Sequence, residues 1–153
     1  MIELRPVSIR QANALVSRWH RHHKPVHGAR FAIGAFVAGL SVGAVIVGRP
    51  VAPGLDDGLT FEVVRLVTDG TAHVASRLLG AAWRASKAMG VRRMVSYIRH
   101  DEKGTCYHAA GWRSVAVVDG RGWTTGNKTG RWLPGMYEPR SEIVDRVRWE
   151  IAA

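Results

Sequence analysis

One tyrosine beside the only cysteine of the chain stands where it could do chemistry. The stretch "GTCYHAAGW" indicates a short amphipathic helix that carries Tyr107 and is followed by Gly111 and Trp112. A phenol can protonate a leaving group as a general acid. Alternatively, its ring packs in the core and its hydroxyl is simply hydrogen-bonded. The neighbouring Cys106 is better explained as a small buried hydrophobic residue than as a nucleophile.

Glu62 is a candidate general base. In the strand-like run "TFEVVRL", alternation predicts that Glu62, Val64 and Leu66 share one face. A carboxylate among apolar neighbours is expected to be partly buried, and burial would raise its pKa toward a value useful for a base. The alternative is an ion pair with one of the many arginines of the chain.

Four of the seven histidines fall within "HRHHKPVH". They could bind a metal such as Fe or Zn, serve as bases near neutral pH, or form a polar loop that contacts phosphate. The spacing His-x-His-His matches no standard metal site, and no cysteine lies nearby, so a metal is not favoured. Because a predicted hairpin follows directly, we expect this loop to border the acceptor side of a cleft. The candidate catalytic residues in it are His20, His22 and His23.

A basic segment near the end of the chain, "RGWTTGNKTGRW", interleaves cations with indoles. Cations bind phosphate and indoles stack on bases, which is what a protein that reaches a flipped base requires. The alternative is a basic loop with two tryptophans anchored in the core. The candidate nucleic-acid-binding residues are Arg121, Trp123, Lys128, Arg131 and Trp132. The net charge of +10 agrees with an anionic partner, whether nucleic acid, a phosphorylated cofactor or an acidic surface.

The elements that must position these residues fit one domain of 153 residues. Patterning predicts the order β-α-β-β-β-α-β-α-β, with Pro6 ending the first strand and Ser8 capping the first helix. This order indicates an α/β fold with a sheet of mixed direction. Residues 118–153 are expected to form a basic, Trp- and Gly-rich region of the same domain. No signal peptide is visible, and the apolar run 31–47 is broken by glycines and shorter than a membrane span, which predicts a cytoplasmic protein.

A loop between a strand and a long helix, "TDGTAH", is a candidate anion site. The helix that follows it offers free N–H groups and the positive end of its dipole. Small residues in the loop would let a phosphate approach the backbone. The alternative is an ordinary strand-to-helix turn that binds nothing.

The succession of strand, phosphate-type loop, helix and strand, followed by "YHAAGW", resembles the core of the GNAT (Gcn5-related N-acetyltransferase) superfamily over roughly residues 2–118. In that superfamily the helix after the fourth strand cradles the pyrophosphate of acetyl-CoA, and a later helix commonly ends as Tyr, three residues, Gly, aromatic. The resemblance implies a mixed, mostly antiparallel central sheet flanked by helices, an acetyl-CoA or related acyl-CoA donor, and Tyr107 as the general acid. The usual Arg/Gln-x-x-Gly-x-Gly/Ala loop is replaced here by "VTDGTAHVAS", so backbone amides would do its work. The implied donor-binding residues are Leu66, Val67, Thr68, Gly70, Thr71, Ala72, His73, Ala75, Ser76 and Thr105.

Longer stretches resemble small phage and prophage proteins of the Mom DNA-modification family, a divergent GNAT branch. They are "FAIGAFVAGLSVGAVIVGRPVAPGLDDGLTFEVVRLVTDG", "LLGAAWRASKAMGVRRMVSYI" and "EKGTCYHAAGWR". Since Mom is associated with acyl-type modification of adenine, this resemblance implies an acyltransferase acting on a nucleobase in DNA, in a phage-infected or prophage-carrying bacterium. Glu62 or a loop histidine would be the base. The alternatives are an acetyltransferase for a protein or small amine, and a non-catalytic nucleic-acid-binding module.

Overall fold

The computed structural model describes residues 1–19, 24–118 and 145–153. Within these ranges, seven strands form one sheet in the order β1-β2-β3-β4-β5-β7-β6, and every neighbouring pair is antiparallel except β4 and β5. The strands are β1 Ile2–Val7, β2 Phe31–Val37, β3 Leu40–Gly48, β4 Thr60–Thr68, β5 Arg93–Arg99, β6 Arg113–Val118 and β7 Arg146–Ala152. The helices are α1 Ile9–Trp19, α2 Val74–Ala88 and α3 Thr105–Ala109, with a short 3-10 turn at Pro53–Leu55. The predicted α/β fold with a mostly antiparallel sheet is confirmed.

Helices cover both faces of the sheet. Along β3, Val45 and Val47 pack into the cluster that contains the α2 side chains, whereas Ala44 and Ile46 pack into the cluster that contains those of α1. Because neighbouring side chains of a strand point to opposite faces, α1 and α2 lie on opposite sides of β2–β4. None of the helices in the described ranges is both long and apolar enough to cross a membrane.

Local signals in the sequence account for several element ends. The Ser8 hydroxyl accepts a hydrogen bond from the Gln11 N–H at 3.0 Å, and the Gln11 side chain accepts one from the Ser8 N–H at 2.9 Å, so the predicted cap of α1 is a complete capping box. The β2–β3 hairpin turns at Ala38 and Gly39, which both have positive φ. Gly90 ends α2 with φ +92°.

Two sequence expectations about strands are wrong. Pro6 does not end β1 but lies inside it, which an edge strand tolerates because one side of its backbone needs no partner. The sequence pattern also lacked β7, which inserts between β5 and β6 and pairs with both.

Candidate active site

A cleft opens where β4 and β5 part. The two parallel strands pair only from Thr60 with Arg93 to Val63 with Ser96, although β4 runs on to Thr68 and β5 to Arg99. The pairing stops where β4 carries an extra residue: Ile46 of β3 pairs with Arg65 but Val47 pairs with Val63, which leaves Val64 as a bulge. A bulge bends its strand and increases the local twist, and here it accompanies the separation of β4 from β5.

The bulge also reverses which side chains face each helix. Val63 before it and Leu66 after it both pack against the α2 cluster, while Val64 and Val67 pack against the α1 cluster. The expectation that Glu62, Val64 and Leu66 share one face is therefore wrong for Leu66. The consequence is a cleft that takes side chains from both faces of the sheet.

The cleft has a volume of about 280 Å³. It brings together the two residues that the sequence singled out as acid and base, Tyr107 and Glu62, with residues of β4, β5, α2, α3 and β7. Among the described residues, its lining comprises Val51, Glu62, Val63, Val64, Arg65, Leu66, Thr68, Ala75, Ser96, Tyr97, Ile98, Arg99, Glu102, Cys106, Tyr107 and Arg146.

Tyr107 lines this cleft and is only 4% exposed. Its ring meets Trp112 edge-on at 5.3 Å and Trp149 at 5.8 Å between centroids, and its hydroxyl is 2.6 Å from Ser96 Oγ. Burial raises the pKa of Tyr107 far above the ordinary phenol value, and the Ser96 hydrogen bond offsets this only in part. The raised pKa keeps the phenol in its neutral, protonated form. The alternative considered for this residue was a packed ring with a hydrogen-bonded hydroxyl. Both features are present, and the same side chain also lines the cleft.

The spacing Tyr, three residues, Gly, Trp has a structural reason. Gly111 takes φ +87°, which ends α3 and turns the chain back. The Trp112 N–H then donates to the Tyr107 carbonyl at 3.0 Å, and the indole reaches the phenol ring. Burial also raises the pKa of the Cys106 thiol, which agrees with a packing residue rather than a nucleophile.

Glu62 is 5% exposed, so the carboxylate is buried as expected. Its Oε1 accepts a hydrogen bond from the Val51 N–H at 3.1 Å. Burial, followed by the charge of Glu62, raises the pKa of Tyr97 on β5, and both side chains line the cleft. Val51 precedes the Pro53–Leu55 turn, so the β3–β4 connection orients the carboxylate.

The predicted donor-binding residues separate into groups. Leu66, Thr68 and Ala75 line the cleft, whereas Thr71, Ala72, His73 and Ser76 line a shallow groove at the start of α2 with Met1, Ile2, Val37 and Arg77. Val67 is buried toward α1, and Gly70 forms the turn with φ +94°. Thr105 begins α3 and is exposed, outside the lining of both the cleft and the groove.

The turn into α2 leaves helix N–H groups available. Asp69 Oδ1 accepts from the Thr71 N–H at 2.9 Å and from the Thr71 hydroxyl at 2.6 Å, and the side chain of the N-cap residue His73 makes no capping hydrogen bond within the described ranges. Within the described ranges, no hydrogen bond engages the N–H groups of Ala75 and Ser76. His73 has φ +68°, which is outside the helical region, so the helical conformation begins only at Val74.

Three arginines at the cleft were not anticipated. Arg65 donates from Nε to the Lys24 carbonyl at 2.9 Å and from Nη1 to the Val64 carbonyl at 2.6 Å. Arg99 bonds Asp101 at 3.1 Å, and Arg146 is only 6% exposed. The sequence did not mark these three arginines as site residues, because the chain contains many arginines. Only the order of strands in the sheet brings β4, β5 and β7 together.

The histidine segment and the basic loop lie largely outside the described residues. These are His20, His22 and His23, and Arg121, Trp123, Lys128, Arg131 and Trp132. Hydrogen bonds fix the chain just after these histidines. The Asn13 side chain accepts from the Val26 N–H at 2.7 Å and donates to the Val26 carbonyl at 2.8 Å, and Arg65 donates to the Lys24 carbonyl. This places residue 24 beside a side chain that lines the cleft. Among the described residues, no three metal-ligating side chains come together.

Solved structures that share this fold at low sequence identity include several acetyltransferases. The Escherichia coli ribosomal-protein-S18-alanine N-acetyltransferase superposes with a TM-score of 0.67 at 11% identity, covering 99% of this chain and 94% of that one. An acetyltransferase from Bacillus subtilis in complex with CoA gives 0.62 at 13%, covering 99% and 97%. The IAA acetyltransferase from Bacillus cereus gives 0.63 at 12%, covering 100% of both chains. The predicted GNAT fold is thereby confirmed.

The sequence itself identifies the family. A comparison with curated proteins finds no significant match. The profile of the Mom protein family, by contrast, matches residues 1–125, which include every described element up to β6. This match covers far more than half of the chain, so the chain belongs to the Mom protein family.

Proposed function

We propose that the protein is an acyl-CoA-dependent N-acyltransferase whose acceptor is a nucleobase in DNA. The observation that carries this proposal is the cleft between β4 and β5, which holds a buried neutral phenol, Tyr107, and a buried carboxylate, Glu62, in the fold of GNAT acetyltransferases. Membership of the Mom family supports the choice of DNA.

The residues present fit an acyl-CoA donor. Beyond Val63, the β5-facing edge of β4 makes no backbone pairing with β5, so it can bond the amide groups of an extended ligand. The N–H groups of Ala75 and Ser76 at the start of α2, for which the described part of the chain supplies no acceptor, suit a pyrophosphate. Arg77, in the groove beside them, adds a cation. Acetyl-CoA would supply an activated acyl group as a thioester.

Tyr107 and Glu62 have complementary chemistry in this cleft. Tyr107 keeps its proton at every physiological pH, so it can donate to a departing sulfur as general acid. Glu62 has an oxygen fixed by the Val51 N–H and faces the side of the sheet opposite α2, from which it can accept the proton of the acceptor nitrogen. A histidine among His20, His22 and His23 is the alternative base, since Arg65 holds the following residue at the cleft.

The charge of the whole chain favours an acceptor that sits on a polyanion. The cleft lining itself is nearly balanced, because Arg65, Arg99 and Arg146 stand beside Glu62 and Glu102, and Arg99 pairs with Asp101. The net charge of +10 would repel a cationic polyamine and attract the phosphates beside a nucleobase. We assign Arg121, Trp123, Lys128, Arg131 and Trp132 to this DNA contact. Residues 118–153 would then belong to the same domain, which agrees with the position of β7 inside the sheet. The site of action would be the cytoplasm of a phage-infected or prophage-carrying bacterium.

Mass spectrometry of nucleosides tests the acceptor. DNA from bacteria expressing the protein is digested and compared with DNA from bacteria expressing Glu62→Gln and, as a matched control, Glu3→Gln, which changes an exposed glutamate paired with Arg5. We expect an acyl-modified nucleoside with the unaltered protein and with Glu3→Gln, and little or none with Glu62→Gln. Unmodified DNA together with acylated protein or small amines would replace DNA by one of those acceptors. No acylation in a protein that binds DNA but not acyl-CoA would identify a binding module.

A further inference from the structure

We infer that Ser96 is a positioning residue for Tyr107. The Ser96 hydroxyl orients the phenol before the reaction and donates a hydrogen bond to the phenol oxygen once the phenol has lost its proton. This inference rests on the proposed function, because it assigns Tyr107 as the proton donor of that reaction.

Ser96 is placed at the point where the cleft begins. It is the last β5 residue paired with β4, opposite Val63, and it is 1% exposed. Its Oγ lies 2.6 Å from the Tyr107 hydroxyl oxygen and donates to the Val63 carbonyl at 3.4 Å. A buried hydroxyl in an apolar strand requires such partners, and here both partners border the cleft.

The direction of the two hydrogen bonds follows from counting protons. A serine hydroxyl has one proton and two lone pairs. Because that proton goes to Val63, the short bond is one in which Tyr107 donates and Ser96 accepts. The bond to Val63 is long, so its loss on rotation of the Ser96 hydroxyl costs little. After rotation, Ser96 donates to Tyr107, and 2.6 Å is the distance expected for an O–H donor facing an oxyanion.

This rotation matters because the phenol is buried among apolar rings. A phenolate there has little water to stabilise it, which is why burial raises the pKa of Tyr107, and the Ser96 hydrogen bond acts in the opposite direction. In the described part of the chain, the Ser96 hydroxyl is in direct contact with the phenol oxygen and can stabilise its charged form.

The transfer balances with these groups. One bond forms between the acceptor nitrogen and the acyl carbon, and the carbon–sulfur bond breaks with its electron pair on sulfur. Glu62 takes the proton that the nitrogen loses, and Tyr107 gives a proton to the sulfur. Ser96 donates to the phenolate until the proton on Glu62 returns to Tyr107 through solvent, so no proton is gained or lost overall.

A double-mutant cycle tests the link in turnover of acetyl-CoA with plasmid DNA. Ser96→Ala should lower turnover by about tenfold to a hundredfold, the range for a hydrogen bond to a charged group. In the Tyr107→Phe background the same change should have no further effect, since Ser96 acts only through the phenol. Ser86→Ala is the matched control, because Ser86 is equally buried on α2, outside the cleft lining, and its hydroxyl has no hydrogen-bond partner among the described residues. An equal loss with and without Tyr107 would overturn the inference.

A second readout does not depend on activity. In protein labelled with ¹³Cζ-tyrosine, Tyr107→Phe identifies the Tyr107 signal among three tyrosines. Ser96→Ala should shift that signal in the protein without ligand, and Ser86→Ala should leave it in place. If wild-type protein transfers no acyl group, the proposed function fails. A Tyr107 signal that Ser96→Ala does not move overturns the positioning role, whatever the activity.

Discussion

Replacing Gly104 by alanine tests how closely α3 is held against the cleft. Gly104 precedes α3 with φ +66°, a conformation that costs other residues about 1–2 kcal/mol. An added Cβ would also overlap the Trp149 ring, whose other contacts include the Tyr107 ring. Overpacking of this kind costs typically about 1–3 kcal/mol. We therefore expect Gly104→Ala to lower the free energy of unfolding by about 2–5 kcal/mol.

Two other glycines separate these contributions. Gly90 has φ +92° but open space where a methyl group would lie, so Gly90→Ala should cost only the backbone strain of about 1–2 kcal/mol. Gly54 has neither positive φ nor a neighbour within 4 Å, so Gly54→Ala should be neutral or stabilise by up to about 1 kcal/mol. Urea denaturation of the three variants measures the series. If Gly104→Ala is no less stable than Gly90→Ala, the Trp149 ring does not constrain the start of α3.

Three further predictions concern the chemistry, the α2 turn and DNA. Tyr107→Phe keeps the ring but removes the proton donor, so turnover of acetyl-CoA should fall about a hundredfold or more. The free energy of unfolding, followed by thermal denaturation, should fall by only about 1 kcal/mol. Unchanged turnover would assign Tyr107 to packing alone. His73→Gly should raise the free energy of unfolding by a few tenths to about 1 kcal/mol, because it relieves φ +68°; a loss in the same urea titration would mean that the histidine side chain has a role of its own. Affinity for duplex DNA should fall as the salt concentration rises, with a log–log slope of roughly 0.9 per neutralised phosphate, and Arg131→Glu should reduce that slope for all sequences. Trp123→Ala should weaken binding to single-stranded substrates most, by about 1–3 kcal/mol. An affinity that is independent of salt would exclude this mode of binding.

Elements defined by local signals could be predicted from the sequence. The Ser8 cap, the Ala38–Gly39 turn and the glycine after α2 each act through neighbours within a few residues, and all are present in the structure. The spacing of Tyr107, Gly111 and Trp112 was recognised through its resemblance to the GNAT pattern, and the turn that joins these residues is local.

Features that depend on distant pairing could not be predicted. Val64 becomes a bulge only through the register of β4 against β3, and that bulge decides which side chains enter the cleft. The insertion of β7 between β5 and β6 likewise depends on sheet order, and it brings Arg146 to the site. Ser96 did leave a signal, since a serine within the apolar run "MVSYI" must find a partner once buried. Its partner could not be named without the position of α3.

Calorimetric titration with acetyl-CoA tests the central claim, that the cleft between β4 and β5 is an acyl-donor site. The informative variant is Ala75→Glu, which puts a carboxylate where α2 would receive the pyrophosphate, and its control is Ala88→Glu, the same change at the exposed far end of that helix. A negative charge near the start of a helix is favourable by itself, so Ala75→Glu should stay folded. We predict binding to the wild type and to Ala88→Glu, and a loss of binding in folded Ala75→Glu. No heat of binding to the wild type at millimolar acetyl-CoA, or equal affinity in all three proteins, would contradict the claim.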